Sequence, residues 1–520
     1  MIMRILDIRG GLRALALLAF SPNVMAGSLV QVQQAPSGER VRSNAVSGKA
    51  LEAFRTSLSA DDNFLRALHQ AMRAADGGRL DGVAYFYSND NSLDSNWLVQ
   101  TPNVWGKRAG EVKRGTGAFV ARDVQSLIEE AQHFVDITSL APFPTGEFDV
   151  AVRHGLLSLA KSGRPVTVRI LVGAPPNGPS QSQYLGELVG PLKGIRPGGL
   201  TIYAAAQRSS IKSWNHSKMV AVDGQQVLLG GENLWDSDYL QFQPVHDLNV
   251  LLHGSVAFGM HRFADRIWES VCNYTMRSWL SVYWKTGMSD IATGCLANSR
   301  VSRSTGPGSV AVLGAGRLAG LESNGDAADV AMVAALNGAT STIRIAQQDL
   351  GMAPLLYWAP GMTAIAKALV ARQQVYIVIS NDKAKAGPDG TPYHTAAGVR
   401  NTASTIKSYV SKQPGAPSGN ALIDLLCSNL HLTTLRFGPS DHWPNTFEFA
   451  NHAKFFMVDD RVFYVGSENL YPSDLVEYGV FISDAGAVRA MREQYWDRLW
   501  QYSSRASISG SEASSCYFRE

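Results

Sequence analysis

The distribution of apolar residues along the chain predicts two alternating kinds of segment. Short β-branched runs bounded by Gly, Pro or Asn, such as residues 166–172 and 375–380, are typical of buried parallel strands. Longer segments between such runs, such as residues 120–133, carry apolar residues at helical spacing. The alternation predicts an α/β fold in which helices flank the sheets.

One succession of these segments occurs twice. In each half a helix leads into a strand, a polar motif and its turn follow, and a further strand and an amphipathic helix close the half. The matching segments are 120–133 and 330–336, 134–138 and 342–346, 248–252 and 479–482, and 258–271 and 488–502. Since the period is far longer than that of stacked repeats, the pattern indicates a duplicated domain.

The chain length agrees with two lobes, because 520 residues exceed what one hydrophobic core usually holds. We predict a first lobe over residues 48–300 and a second lobe over residues 315–520, each a mixed β-sheet flanked by helices. Residues 301–314, rich in Gly, Ser and Thr, are predicted to be the linker between them.

The repeat is sharpest in two motifs with the pattern His-x-Lys-x4-Asp. The first comprises His216, Lys218 and Asp223, and the second comprises His452, Lys454 and Asp459. In each half a Gly-Gly/Ser-Glu-Asn sequence begins 14 residues after the His and ends in Asn233 or Asn469. On a strand, the His and Lys of one motif would project from the same face. A single His-x-Lys is a weak signal of a functional site. Two copies of the whole pattern with the same spacing are a strong signal, and chance recurrence in two buried hairpins is the remote alternative.

These residue types suit the cleavage of a phosphodiester. A neutral imidazole can attack phosphorus and form a covalent intermediate, and a protonated imidazole can give its proton to the leaving oxygen. Two ammonium groups and two amides can hold the phosphoryl oxygens. This chemistry needs no metal or other cofactor, and the sequence offers no obvious metal-ligand cluster. Spacing alone does not assign the two roles to the two histidines.

Each histidine also needs a carboxylate to fix its tautomer. Asp247 follows the first motif and Glu477 follows the second, each just before a strand candidate, which favours a site role over that of a solvated surface acid. Asp223 and Asp459 are predicted to support the site. The alternative, given equal weight, is that they only stabilise the turns in which they lie.

Composition and charge narrow the class of protein. Hydrophobic residues make up 45% and charged residues 18%, as in an ordinary globular protein. The formal net charge of +3 is too small to indicate nucleic-acid binding by itself. Arg4, Arg9 and Arg13 precede a short apolar stretch and a small residue at Ala26, so residues 1–26 are predicted to be a secretory signal peptide; an irregular N-terminal tail is the alternative.

Four cysteines agree with export, because an even number in a secreted protein suggests disulfides. They are Cys272, Cys295, Cys427 and Cys516. Of the three possible pairings we favour Cys272 with Cys295 and Cys427 with Cys516, since each pair then lies within one half. Four buried thiols are the alternative.

The motifs are the signature of the phospholipase D superfamily, and the chain resembles its secreted bacterial enzymes of the Streptomyces type along most of its length. Segments outside the two motifs contribute to the resemblance. They are residues 98–102, 135–144, 214–218, 347–349, 427–430 and 466–472.

The resemblance implies a two-lobed monomer with pseudo-twofold symmetry and a site between the lobes. It implies hydrolysis of phosphatidylcholine-like lipids to phosphatidic acid, head-group exchange with alcohols, His216 as nucleophile, and His452 as general acid and then base. The orienting acids of the family map to Asp247 and to Glu477, where Asp is usual. The four cysteines match positions that are paired in the family.

Aromatic loop residues are candidates for holding the lipid at a membrane surface, with packing in the core as the alternative. They are Trp105, Trp214, Trp235, Tyr357, Trp358 and Trp443, and residues 350–362 are unusually apolar. An exposed apolar patch would allow peripheral contact with a bilayer.

Three other functions remain as alternatives. The same groups would serve a nuclease, although the mild charge does not predict the basic groove that such an enzyme needs. A lipid-binding protein with a dead site disagrees with two intact motifs. A lipid synthase that favours transfer over hydrolysis would use the same intermediate.

Overall fold

The computed structural model describes residues 47–112, 118–176, 179–195, 198–210, 212–272, 282–285, 296–322 and 326–520. The predicted signal peptide, residues 1–26, lies outside these ranges, and so does Cys295.

The first half of the described chain contains the helices and strands of one lobe and three further elements at its start. In order they are α1 (Gly48–Asp61), α2 (Phe64–Asp76), β1 (Tyr85–Asn91), β2 (Leu98–Thr101), α3 (Ala118–Glu130), β3 (Phe134–Leu140), α4 (Gly146–Ser162), β4 (Thr167–Gly173), α5 (Gln181–Leu192), β5 (Thr201–Gln207), β6 (Met219–Val222), β7 (Gln226–Gly230), α6 (Asp236–Tyr239), β8 (Asp247–His253), α7 (Val256–Cys272) and β9 (Val282–Lys285).

The second half repeats most of this order and adds two short hairpins. Its elements are β10 (Val310–Leu318), α8 (Ala327–Asn337), β11 (Thr342–Ala346), β12 (Gly351–Ala353), β13 (Leu356–Tyr357), α9 (Ala359–Val370), β14 (Gln374–Ile379), β15 (Lys385–Ala386), β16 (Thr391–Pro392), α10 (Gly398–Ser411), α11 (Gly419–Asn429), β17 (Leu430–Thr434), β18 (Phe455–Val458), β19 (Val462–Gly466), β20 (Val476–Ile482), α12 (Ala485–Met491) and α13 (Asp497–Ser503). A π-helical turn, Arg492–Trp496, joins the last two helices, so the predicted helix 488–502 is not uniform.

Seven corresponding strands have the same order in the two large sheets, which confirms the duplicated α/β architecture. The first sheet runs β2-β8-β7-β6-β3-β4-β5-β9 and the second runs β1-β10-β20-β19-β18-β11-β14-β17. Strands β3, β4 and β5 are parallel, as are β11, β14 and β17, while the hairpin strands that follow each motif are antiparallel. Each sheet is therefore mixed, as predicted.

The boundary between the lobes differs from the prediction in two places. Residues 310–314 of the predicted linker belong to strand β10, which pairs with β20 and has the same place in its sheet as β2 in the first. Strand β1, within the predicted first lobe, pairs with β10 in the second sheet. The Gly-rich sequence of β10 concealed this strand: Gly314 and Gly316 lie against the ring of Tyr478, where a side chain would not fit.

Alternation along the strands divides the hydrophobic core as the sequence predicts. Met219 and Ala221 of β6 belong to a cluster that continues into the second lobe, whereas Val220 and Val222 face a separate cluster under α3, α4 and α5. The first cluster crosses between the lobes, where the rings of Phe263 and Tyr478 have centroids 4.6 Å apart. The lobes consequently share one core at their interface.

One predicted disulfide is present within the described residues. Cys427, in α11, is bonded to Cys516, and their Cα atoms are 5.8 Å apart. Cys272 is also disulfide-bonded. The predicted pairing of Cys272 with Cys295 stays a prediction because Cys295 lies outside the described part of the chain.

Candidate active site

The motif histidines and lysines lie in an extended segment immediately before a strand in each lobe. His216 and Lys218 precede β6, and His452 and Lys454 precede β18, so the expectation that they lie on strands is wrong by a few residues. The strands begin later because the backbone of each motif histidine is hydrogen-bonded to the opposite lobe instead of to its own sheet.

Each motif is held by the asparagine before its histidine. Asn215 accepts hydrogen bonds from the backbone and the hydroxyl of Ser217 and donates to Ser139 O at 3.1 Å. Asn451 donates to Gln347 O at 3.0 Å and accepts from the backbone of Ala453. Because these bonds bring in the end of β3 and the segment after β11, both motifs are anchored to the centre of their own sheet.

Backbone pairing across the lobes brings the two motifs together. The N–H of His216 donates to Val476 O, and the N–H of His452 donates to His246 O, each at 2.7 Å. Val476 and His246 directly precede Glu477 and Asp247. The start of each acid-bearing strand is therefore paired with the motif of the opposite lobe.

As a result, each histidine has its carboxylate partner in the other lobe. His216 Nδ1 is 2.8 Å from Glu477 Oε1, and His452 Nδ1 is 2.7 Å from Asp247 Oδ2. All four side chains are buried. With Nδ1 held by a carboxylate, Nε2 of each ring is the nitrogen available for chemistry.

The two carboxylates have different supports. The Arg317 guanidinium donates to the second oxygen of Glu477 and also pairs with Glu468 at 3.1 Å. On the other side, the Tyr239 hydroxyl donates to Asp247 Oδ2 at 3.0 Å. A cation thus supports one pair and a neutral hydroxyl supports the other.

These supports act on the pKa values of the carboxyl groups in opposite directions. Burial would raise the pKa of Glu477, but the charge of Arg317 and the contact with His216 outweigh it, so that the pKa is lowered. Burial raises the pKa of Asp247 to about 6, although Lys454 opposes this shift in part. Glu477 is therefore the more firmly ionised of the two.

The lysines contribute positive charge at the centre of the site. Lys218 Nζ donates to His216 O and Lys454 Nζ to His452 O, each at 2.5 Å. Burial lowers the pKa of Lys454 to about 8, with Asp247 and Glu477 opposing the shift. Burial and the neighbouring charge of Lys454 lower the pKa of Lys218.

Both histidines are neutral in this surrounding. Burial, and then the charge of Lys218, lower the pKa of His216 to about 3 despite its bond to Glu477. Burial and the two lysines lower the pKa of His452 as well. The lysines act on both rings and on each other, so four motif side chains from two lobes form one electrostatic unit.

Asn233 and Asn469 are buried as well. Asn233 Oδ1, and both amide atoms of Asn469, have no hydrogen-bond partner among the described residues. A buried amide without a partner is unfavourable unless it serves a ligand, so these atoms are suited to hold phosphoryl oxygens.

Comparison with known proteins agrees with this geometry. No protein-family model matches the sequence. The chain is 29% identical over 496 residues to phospholipase D of Streptomyces antibioticus, which covers 85% of this chain and 88% of that protein. This match supports membership of the phospholipase D superfamily.

A solved structure shows the same fold in a more distant protein. Phosphatidylserine synthase of Haemophilus influenzae Rd KW20 superimposes with a TM-score of 0.53 at 13% identity, covering 83% of this chain and 91% of that chain. This likeness concerns the fold alone. With the sequence match to a phospholipase D, the chain is an enzyme of the phospholipase D type, a phosphodiesterase.

Two aspartates of the superfamily motif have structural positions in this chain. The Asp223 carboxylate accepts backbone N–H groups at the start of β3, and the Asp459 carboxylate accepts those at the start of β11. Both have left-handed backbone conformations, with φ of 52° and 53°, in the turns after β6 and β18. The prediction that they support the catalytic groups is therefore wrong, and the turn alternative is confirmed.

The aromatic candidates divide into buried and half-buried residues. Trp443 packs edge-on against Phe449, with ring centroids 4.8 Å apart, and belongs to the core together with Tyr357 and Trp358. The expectation that these three hold lipid is wrong, because their rings fill the interior of the second lobe. Trp214 and Trp235 are half-buried and stay candidates. Trp105 is half-buried and donates to Gln100 Oε1 at 2.8 Å.

Sequence reasoning missed the roles of four residues: Arg317, Tyr239, Asn215 and Asn451. Arg317 lies near the end of β10, the strand whose first five residues fall in the predicted linker, and Tyr239 lies in the short helix α6 after the first motif. The Asn before each His was visible as a match between the two halves, but nothing in the sequence showed its hydrogen bonds. Among the described residues, no cluster of three or more His, Cys, Asp or Glu could hold a metal ion.

Proposed function

We propose that the protein is a secreted phospholipase D. It hydrolyses the distal phosphodiester of phospholipids such as phosphatidylcholine to phosphatidic acid and the free head group, and it transfers the phosphatidyl group to alcohols. The observation that carries the proposal is the pair of buried imidazoles, each held through Nδ1 by a carboxylate of the other lobe. The sequence match to a phospholipase D supplies the substrate class.

In the first step, Nε2 of His216 attacks phosphorus and forms the phosphohistidine intermediate. The low pKa of the His216 side chain keeps its ring neutral, so the lone pair on Nε2 is available at physiological pH. The bond from Nδ1 to Glu477 disperses the positive charge that the ring acquires. Arg317 keeps Glu477 ionised for this purpose. This support favours His216, and not His452, as nucleophile.

The leaving alkoxide takes a proton from Nε2 of His452. Burial and the two lysine charges lower the pKa of His452, and the charge of the bound phosphodiester, an anion, opposes the effect of the lysines. In the mechanism that we propose, His452 gains its proton when substrate binds, with Asp247 holding Nδ1. Lys218, Lys454, Asn233 and Asn469 stabilise the charge on the phosphoryl oxygens.

In the second step, neutral His452 takes a proton from water, and the hydroxide oxygen attacks phosphorus and releases His216. An alcohol in place of water yields a phosphatidyl alcohol by the same route. Water and alcohol attack the same intermediate and use the same base, His452. Transfer to alcohols therefore accompanies hydrolysis in this proposal.

The disulfides support an oxidising compartment and hence secretion, to the periplasm or the medium. Among the described residues, no helix is long and apolar enough to cross a membrane. We propose a monomer that contacts the membrane only peripherally and does not bind nucleic acid.

The test is an incubation of purified protein with phosphatidylcholine vesicles and dilute ethanol, followed by lipid analysis. We expect phosphatidic acid and phosphatidylethanol from the unaltered protein. His216→Ala should lower the rate on the order of 10⁴-fold or more, as the loss of a nucleophile does elsewhere. His154→Ala removes an exposed histidine of α4 and is the matched control, with no change expected.

Turnover by His216→Ala close to that of the unaltered protein would end the nucleophile assignment. Folded protein that forms no lipid product but digests DNA would replace the lipid substrate with a nucleic acid.

A further inference from the structure

One exposed apolar segment of the second lobe has no part in the catalytic arrangement. Strands β12 and β13 form a hairpin whose turn contains Pro354 and Leu355. Leu355 is 97% exposed, more than any other large hydrophobic residue in the described part of the chain. Its side chain lies almost entirely in water.

A single exposed leucine is ordinary, but this one belongs to a continuous apolar tip. Residues 352–356 read Met-Ala-Pro-Leu-Leu, with no charged or hydrogen-bonding side chain. Pro354 is exposed as well, and Met352 and Leu356 are half-buried. A tip of this composition is unfavourable in water and gains stability when an apolar medium covers it.

The base of the hairpin is tied to the segment beside the catalytic histidine. Thr395 Oγ1 donates to Gly351 O at 2.7 Å. Two residues earlier, the ring of Tyr393 lies against that of His452, with centroids 5.2 Å apart. The hairpin base is therefore linked through residues 393–395 to the ring of His452.

A second exposed apolar residue lies on the first-lobe side of the site. Phe242 is 54% exposed and follows Tyr239, whose hydroxyl is 3.0 Å from His452 Nδ1. Gln243 O accepts the N–H of Gly387 at 2.9 Å, so this loop lies against the second lobe. Phe242 thus lies three residues after a side chain that contacts His452, and the Leu355 hairpin is hydrogen-bonded to a segment that contacts it.

We propose that the Leu355 hairpin and Phe242 insert into a zwitterionic phospholipid bilayer and hold the mouth of the site on it. This inference rests on the proposed function. His216 and His452 are only 3% and 6% exposed. A lipid phosphate in a bilayer therefore reaches them only when the mouth of the site is pressed onto the surface. The uncharged tip fits an acyl region without requiring an anionic lipid.

The experiment measures membrane binding and turnover separately. Leu355→Asp is made alone and with Phe242→Asp, and sedimentation with phosphatidylcholine vesicles is carried out in the inactive His216→Ala background. Turnover is measured on the same vesicles and on dihexanoyl phosphatidylcholine kept below its micelle concentration. Val150→Asp, at a residue 44% exposed on α4, is the matched control.

We expect Leu355→Asp to lower vesicle partitioning and vesicle turnover about 10- to 100-fold, as the loss of one buried leucine side chain would. Turnover of the monomeric lipid should change less than about twofold, because the hairpin makes no catalytic contact. Val150→Asp should match the unaltered protein. Circular dichroism of each variant confirms the fold.

Unchanged vesicle partitioning by both Asp variants would overturn the proposal, and so would an equal loss on the monomeric lipid or with Val150→Asp. If the unaltered protein cleaves neither lipid, the proposed function fails, whereas the sedimentation result still decides whether the hairpin binds membranes.

Discussion

At the scale of residues, the two motif histidines differ in the group behind their carboxylate. Glu477 is held by the Arg317 cation and Asp247 by the Tyr239 hydroxyl. The histidines, lysines and acids could be chosen from the sequence because they recur at matching positions. Arg317 and Tyr239, which hold these acids, could not be chosen in this way. Neither has an equivalent in the other half, and repetition was the signal that identified the other residues.

We predict a bell-shaped dependence of kcat on pH that Arg317→Met alters. Asp247 must be ionised to hold His452, so activity falls as the pH drops through about 6. Lys454 must be protonated, so activity falls again as the pH rises through about 8. Without Arg317, burial raises the pKa of Glu477, and the acid limb moves to higher pH.

The matched control is Arg169→Met. Arg169 is as buried as Arg317 and pairs with Asp136 and Asp265, away from the catalytic groups. Either variant breaks a buried ion pair and should destabilise the protein by about 3–5 kcal/mol. Only Arg317→Met should shift the acid limb, and Arg317→Lys should restore it. A shift of equal size in Arg169→Met would show that the effect is one of stability.

At the scale of elements, the strands that carry the motifs were predictable because their apolar patterns are strong and bounded by turns. Strand β10 was not, because its glycines resemble a linker until the ring of Tyr478 is placed against them. The short strands after the His and Lys of each motif were extended too far towards the N-terminus in the prediction, since hydrogen bonds to a distant strand cannot be seen in a local pattern.

Gly231, which follows β7, allows a prediction at the scale of elements. A Cβ on Gly231 would lie 2.1 Å from Asp247 Oδ1, so this glycine lets the strand end pass close to the carboxylate. Gly231→Ala should displace Asp247 from His452 and lower kcat about 10- to 100-fold with little change in KM. Gly190→Ala, where a Cβ meets nothing within 4 Å, is the control. Unchanged kcat in Gly231→Ala would show that the carboxylate can move without consequence.

At the scale of the whole molecule, the duplication and the fold class followed from the sequence, whereas the way the halves interlock did not. Strand β1 of the first half lies in the second sheet, and one apolar cluster crosses between the lobes. No periodicity reports which sheet an isolated edge strand joins, because pairing partners are set by the tertiary fold.

This interlocking predicts that the lobes unfold in one transition. Phe148→Ala, in the cluster under α3, α4 and α5, and Phe263→Ala, at the contact with Tyr478, should each lower the free energy of unfolding by about 3–5 kcal/mol. In calorimetry both should move a single peak to lower temperature. A separate early peak in Phe148→Ala would mean that the first lobe melts independently.

The exchange of carboxylates between the lobes also bears on how such a chain can diverge. In a symmetric pair of identical subunits, the same exchange would join the histidine of each to the acid of its mate, and any substitution would appear in both pairs at once. Joining two copies in one polypeptide removes that constraint. Each copy can then change the acid that holds the histidine of the other copy. In this chain one acid is Glu477, supported by Arg317, and the other is Asp247, supported by Tyr239. The two histidines can be specialised separately only because the two halves are no longer the same gene product twice.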